Sequence, residues 1–258
     1  MNSIHPEQLT NDLVAFLKNA FAKAGFINAV IGLSGGVDSA VSAALAVRAL
    51  GADHVYPVLM PYGALSAYAT INATEVVGIL GINSFHVTRI DIKPMLDPLM
   101  VKDPGMDNIR RGNLMARARM MVLYDQAKKR TALVVGTENK TEHLLGYFTR
   151  FGDEASDIEP LRSLYKTQVY ELAQYLKLPD VVLSSAPTAG LWQGQTDEGE
   201  FGFTYKEADE ILSAHFDEKK SVEAIITAGF AKDLVDKVLS RAAANEFKHH
   251  LPILPKYD

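Results

Sequence analysis

Residues 32–39 read Gly32-Leu33-Ser34-Gly35-Gly36-Val37-Asp38-Ser39, directly after the apolar run Ala29-Val30-Ile31. A short buried strand runs into a turn with two consecutive glycines, and a helix begins at once. Glycines there let backbone N–H groups approach an anion closely, and the new helix aims its positive end at the same spot. Ser34 and Ser39 add hydroxyl donors. Asp38 repels phosphate unless a cation stands between them, and Mg²⁺, a hard ion that bridges carboxylate to phosphate, meets that need. The octet reads as a site for pyrophosphate and a metal ion. A serine-capped turn that binds nothing would leave Asp38 unexplained.

Two commoner phosphate motifs do not fit. The Walker loop ends in Gly-Lys-Ser/Thr, and no Lys occurs between Lys23 and Lys93, which disfavours kinase-type transfer. The pattern is not Gly-x-Gly-x-x-Gly either, which disfavours hydride transfer on a dinucleotide fold.

A second polar cluster, Gly136-Thr137-Glu138-Asn139-Lys140-Thr141-Glu142, follows the apolar run Leu133-Val134-Val135. In a parallel sheet, ligands bind beyond the carboxyl ends of the strands, so this segment and the Gly35-Gly36 turn share one rim. Thr137 is placed to hydrogen-bond a ligand, and Glu142 to complete a metal site begun by Asp38. By itself such a run is as readily a helix cap.

The elements that must position these groups alternate strand and helix, which predicts an α/β fold with a doubly wound parallel sheet. Pro6 opens a helix with Leu9, Leu13, Leu17 and Phe21 four residues apart, and Gly25 closes it. Strands are expected at Ala29–Leu33, Val55–Met60, Phe85–Ile90 and Leu133–Gly136, with Pro57 implying a strand end or an edge. Helices are expected at Ala40–Leu50, Ala67–Leu80, Ile109–Lys128, Tyr165–Leu176, and at the C-terminus Tyr205–His215, Ser221–Ala228 and Ala231–Lys248. The stretches 147–160 and 187–202 read as lids or linkers. Residues 1–258 carry no convincing internal boundary, so a single domain is expected.

Composition narrows the function. Of 258 residues 48% are hydrophobic and 22% charged, ordinary for a globular protein, and the net charge of −5 comes without a basic block, against a nonspecific nucleic-acid binder. No apolar run reaches about 18 residues and no leader pattern opens the chain, so no membrane partner and a cytoplasmic location are expected. With no cysteine there is no thiol nucleophile, so the chain contains no Cys-based glutaminase and no persulfide sulfur transfer.

Arg110, Asn113 and Arg117 fall at i, i+3 and i+7 on one helix face, suited to an anionic ligand or to plain solvation. His54, His86, His143 and His249-His250 show no metal-ligand spacing. Met115, Met120 and Met121 read as core filler. Trp192 reads as a lid residue or an exposed loop aromatic.

Residues 32–39, then Arg111-Gly112-Asn113-Leu114-Met115-Ala116-Arg117-Ala118-Arg119-Met120, then 136–142 resemble successive motifs of the ammonia-dependent NAD⁺ synthetases. The resemblance continues through residues 145–153, Asp157-Ile158-Glu159-Pro160, residues 164–168 and 186–192, Gln195-Thr196-Asp197-Glu198 and Gly202-Phe203-Thr204-Tyr205, over nearly the whole chain. It implies a homodimer with a flavodoxin-like, adenine-nucleotide-hydrolase-type sheet and C-terminal helices. The implied reaction adenylates deamido-NAD⁺ with ATP, releases pyrophosphate, and lets ammonia displace AMP.

By this resemblance Gly32, Leu33, Ser34, Gly35, Gly36, Val37, Asp38 and Ser39 hold the ATP phosphates, while Asp38 and Glu142 ligate Mg²⁺. Thr137, Lys166 and Thr188 contact ATP, and Asp38, Glu142 and Lys166 form the catalytic set. Arg117, Arg150, Asp157 and Lys248 contact deamido-NAD⁺. Glu138, Glu154, Phe247 and Asn72 depart from the family pattern; Glu154 stands where a glycine would supply positive φ. A GMP-synthetase-like or tRNA-modifying ATP pyrophosphatase, and a noncatalytic nucleotide-binding module, are the rival readings.

Overall fold

The computed structural model describes residues 4–250. Helix α1 (Pro6–Ala24) starts at its proline, buries Leu13, Leu17 and Phe21, and stops at Gly25 in the left-handed conformation. It leads into β1 (Asn28–Gly32), α2 (Val37–Leu50), β2 (Val55–Leu59), α3 (Ala67–Ile79), β3 (Thr88–Arg89), α4 (Lys93–Lys102), α5 (Asn108–Arg130) and β4 (Ala132–Val135). The remainder is helical: α6 (Lys140–Leu145), α7 (Lys166–Tyr175), α8 (Asp180–Leu183), α9 (Asp197–Phe201), α10 (Tyr205–Leu212), α11 (Val222–Thr227) and α12 (Lys232–Asn245).

The four strands among the described residues are all parallel, in the order β3-β2-β1-β4. β1 is fully buried at Ala29, Val30 and Ile31. Ala29 and Ile31 join the core under α1, α2 and α7, while Val30 joins the opposite core with Leu96 of α4 and Met115 and Val122 of α5. Both faces are therefore covered, as a doubly wound sheet requires. A third apolar cluster gathers α10, α11 and α12 around Phe201, Phe203 and Tyr205, and reaches the sheet layer through Leu145 and Tyr165. No helix among the described residues is long and apolar enough to cross a membrane.

Several expected boundaries move. The strand expected at Phe85–Ile90 shrinks to Thr88–Arg89, because Asn83 accepts from the Phe85 N–H and winds 84–86 into a 3₁₀ turn. Pro57 lies inside β2, an interior strand. Leu59 O accepts from Ile90 N on the β3 side, so by alternation the Pro57 nitrogen also faces that side, where pairing begins only at Val58. Helix α4, with Pro94 in its first turn and Pro98 inside, gave no periodic signal. The expected helices 205–215 and 231–248 end in a π turn (213–217) and a 3₁₀ turn (246–249).

Candidate active site

From β1 the chain builds outward to β2 and β3, then crosses back to place β4 on the other side of β1. A crevice opens at such a switch point, beyond the carboxyl ends of the strands. The Ser34–Ser39 turn lies there. Gly35 has φ +83°, and a Cβ on it would run into the Ala69 carbonyl, so only glycine fits. Gly36 is the N-cap of α2 and supplies no capping side chain, leaving the first N–H groups of the helix open. The serines do less than expected as ligand donors. The Ser39 hydroxyl donates to Gly36 O (2.9 Å) and accepts from Ser34 N (3.2 Å), stapling the turn from within.

The β4–α6 connection meets this turn. Asn139 is fully buried; its carbonyl oxygen caps α6 by accepting from Glu142 N (3.0 Å), and its amide donates to Asp38 Oδ1 (2.9 Å). The Lys166 ammonium lies between the two carboxylates, 2.5 Å from Asp38 Oδ2 and 3.0 Å from Glu142 Oε1. Burial alone would depress this lysine, but the two carboxylates outweigh it and hold the ammonium well above its ordinary value. Burial raises the Glu142 carboxyl, with Lys166 pulling the other way.

Lys166 opens α7, a poor position for a cation in the helix dipole, and is pinned there. Its N–H donates to Thr141 Oγ1 (2.9 Å). Asp209, fully buried on α10, takes the Thr141 hydroxyl on one oxygen and the Thr167 N–H and hydroxyl on the other. One carboxylate thus ties α6, α7 and α10 together behind the lysine.

These groups line a cleft of about 770 Å³, which takes in all of residues 32–39 together with Thr137, Glu142, Lys166, Thr188 and Lys248. The segment 187–196 folds across it through its own hydrogen bonds. Thr188 Oγ1 donates to Gln195 O, Leu191 N donates to Gln195 Oε1, and Ala189 N donates to Asp197 Oδ1. Trp192 lines the cleft, which agrees with a lid residue. Asp197 also accepts from Tyr147 OH and Tyr205 OH, both at 2.9 Å.

Arg117, Arg150 and Asp157 do not line this cleft within one chain. Arg117 donates to Arg150 O and Arg150 to His250 O on the outer side of α5. Asp157 accepts from Val134 N (2.7 Å), extending the sheet beyond β4. The Arg110–Asn113–Arg117 face divides: Arg110 pairs with Asp103, and Asn113 turns into the cleft to accept from Thr149 Oγ1. Of the methionines, Met115 is core and Met121 is 54% exposed, correcting its reading as filler.

The departures from pattern have local accounts. Glu138 is buried 2.7 Å from Arg162, and desolvation outweighs that partner, carrying the carboxyl up to about 8. Positive φ in the 149–155 loop falls on Phe151 (+60°), not on Glu154, which instead accepts from the Phe151 N–H. Asn72 donates to Ser185 Oγ, and Phe247 is exposed. His143 stacks on His249 (4.2 Å), and no metal-binding group of three acidic, His or Cys side chains forms among the described residues. Asn139, Asp197, Tyr147 and Tyr205 are the site residues that sequence reasoning did not single out. Asn139 was legible only as a cap, and the others only as motif letters.

The profile of the NAD synthase family matches residues 9–252. The chain belongs to this family. The NH(3)-dependent NAD(+) synthetase of Fusobacterium nucleatum is 45% identical over 250 residues, 97% of this chain and 96% of that protein. Among solved structures, the NMN synthetase of Francisella tularensis matches with a TM-score of 0.86 and 35% identity, covering 99% of this chain and all of that one. The NH3-dependent NAD synthetase of Campylobacter jejuni, in complex with nitrate, matches at 0.82 and 29% identity, covering 98% and 100%. As a NAD synthase, the chain is a ligase that makes NAD⁺ by ATP-dependent amidation of deamido-NAD⁺. The rival assignments to a tRNA-modifying or GMP-synthetase-like enzyme fall away.

Proposed function

We propose that Asp38, Glu142 and Lys166, at the open N-terminus of α2, form the centre where the acceptor carboxylate is adenylated and then aminated. A carboxylate becomes a good acyl donor only once an oxygen belongs to a good leaving group. The nicotinate oxygen attacks the α-phosphorus of ATP and pyrophosphate leaves; ammonia then adds to the carbonyl carbon and AMP departs. The observation that carries this reading is the convergence of two carboxylates and one ammonium at an uncapped helix start. The N–H groups of α2 cradle the departing pyrophosphate, and Thr137 and Thr188 line the ATP wall.

Asp38 and Glu142 fit Mg²⁺, since two hard oxygens already converge on one cation-sized point and substrate phosphates would complete the shell. Bound there, the ion would neutralise phosphate charge. Lys166, which holds the same two carboxylates here, would be the residue to donate to phosphate oxygens.

The whole chain works as one catalytic domain, in the cytoplasm, where ATP is held. We also infer a homodimer with composite sites. Met121 and Tyr124 form an exposed stripe on α5, the helix that carries Arg117, and Phe151 is exposed next to Arg150. A second copy seated there would bring Arg117, Arg150 and Asp157 to an acceptor site that one chain leaves open. Similarity to the Francisella NMN synthetase supports a second acceptor, nicotinate mononucleotide. Rates with the two acceptors separate the readings.

Purified protein given ATP, Mg²⁺, ammonium and deamido-NAD⁺ should release AMP and pyrophosphate along with NAD⁺. Release of ADP and orthophosphate would overturn the adenylation route. Glutamine should not replace ammonium, because the chain has no thiol nucleophile.

A further inference from the structure

The cleft carries two further cations besides Lys166, and among the described residues neither has a carboxylate partner. Arg241, on α12, lies over the ring of Phe201 (4.6 Å) and that of Tyr147 (5.5 Å). Its Nε is buried without a hydrogen bond, and among the described residues its guanidinium makes no hydrogen bond or ion pair at all. Lys248, in the turn after α12, lies over the ring of Phe148 (5.3 Å). It donates to Gly146 O (2.7 Å) and Phe148 O (3.0 Å), leaving one of its three donors without a partner among the described residues. Both side chains line the cleft. The acidic group that acts on Arg241, Glu200, takes hydrogen bonds from Tyr147 OH and Gln195 Nε2 instead, and the one that acts most on Lys248, the buried Asp153, accepts from Thr149 N.

Two desolvated cations held on consecutive aromatic residues, with donors to spare, cost stability unless an anion completes them. Burial lowers both below their ordinary values, and for Lys248 the Arg241 charge adds to the effect. A planar guanidinium whose donors are all unspent suits a phosphate, which it can grip with two parallel hydrogen bonds.

The position says which phosphate. Glu142, in the first turn of α6, and Gly146, its C-cap, are about 6 Å apart along the helix axis at 1.5 Å per residue. ATP phosphates belong at the Glu142 end. In the acceptor, one ribose separates the nicotinate ring from its own 5′-phosphate, so that phosphate falls one sugar away from the reacting carboxylate. We propose that Arg241, together with Lys248, binds the phosphate next to the nicotinate ribose of the acceptor and makes Arg241 a specificity-determining residue for phosphorylated acceptors. This rests on the acceptor reading above.

The test compares the full-length protein with Arg241→Met, which keeps the aliphatic stem over Phe201, and Arg241→Lys, which keeps a charge but loses the fork. Calorimetric Kd and steady-state KM are measured for deamido-NAD⁺ and for ATP. In Arg241→Met, Kd and KM for deamido-NAD⁺ should rise about tenfold or more, the scale of a lost hydrogen bond to a charged group. Values for ATP, and kcat, should stay within about twofold on the same reasoning. Arg241→Lys should fall between. If Arg241→Met fails to fold, the Lys variant alone decides. Unchanged deamido-NAD⁺ values, or an equal rise for both ligands, overturn the subsite. Wild-type protein that binds deamido-NAD⁺ with this Arg241 dependence yet forms no NAD⁺ would overturn the proposed chemistry and leave the subsite standing.

Discussion

The Asn139 amide donates to Asp38 across 101 positions of sequence while its carbonyl oxygen caps α6 at Glu142. One fully buried side chain thus sets the orientation of one proposed metal ligand and the helix that carries the other.

Replacing Asn139 by Asp separates the two roles. The new carboxylate still accepts from the Glu142 N–H, so the cap survives, but it cannot donate to Asp38 and sets a like charge beside it. Turnover should fall about tenfold or more while circular dichroism stays native. Wild-type turnover in this variant would remove Asn139 from any positioning role.

Asp38→Asn should lower kcat on the order of 10²–10³-fold with the fold intact, because a rim turn carries little core packing. Glu142→Gln should behave alike. If both serve one metal, the double variant should be little worse than either single. Losses that multiply independently would show separate functions.

Glu138, at about 8, and Glu159, at about 7, are both raised chiefly by burial. The folded protein therefore keeps protons that the unfolded chain releases. Their contribution to stability is fullest below about pH 4.5 and declines as pH rises toward about 8. Glu138→Gln should flatten that decline in denaturant melts run across the window. A slope identical to wild type would show that Glu138 is ionised throughout.

Met121→Asp places a charge in the exposed α5 stripe. Sedimentation should show a monomer, with deamido-NAD⁺ use impaired more than ATP binding. A dimer of unchanged mass and kinetics would move the interface elsewhere.

Much of the proposed phosphate site's backbone was legible because its constraints are local. The double-glycine turn, the strand before it and the helix after it are neighbours in sequence, and Gly35 is demanded by its own backbone conformation. The α1 register was legible for the same reason, since Leu13, Leu17 and Phe21 repeat with the helical period. Helix α4 was not, because its two prolines mask helix chemistry that the α5 core enforces. β3 was overestimated because apolar character at Phe85 does not reveal that Asn83 caps a turn there.

Taken by itself, the sequence determined the turn and helix start that carry Asp38, and motif resemblance grouped Glu142 and Lys166 with it as an expectation. Only the tertiary structure decided their relation: the ammonium lies between the carboxylates because Asp209 pins the start of α7 and Asn139 turns Asp38 inward. It also decided that Arg117, Arg150 and Asp157 stand apart from the cleft and that Arg241 stands in it over two aromatic rings, with its Nε unbonded among the described residues. Which side chains meet across more than a hundred residues depends on packing three-dimensional layers, and no local spacing records that.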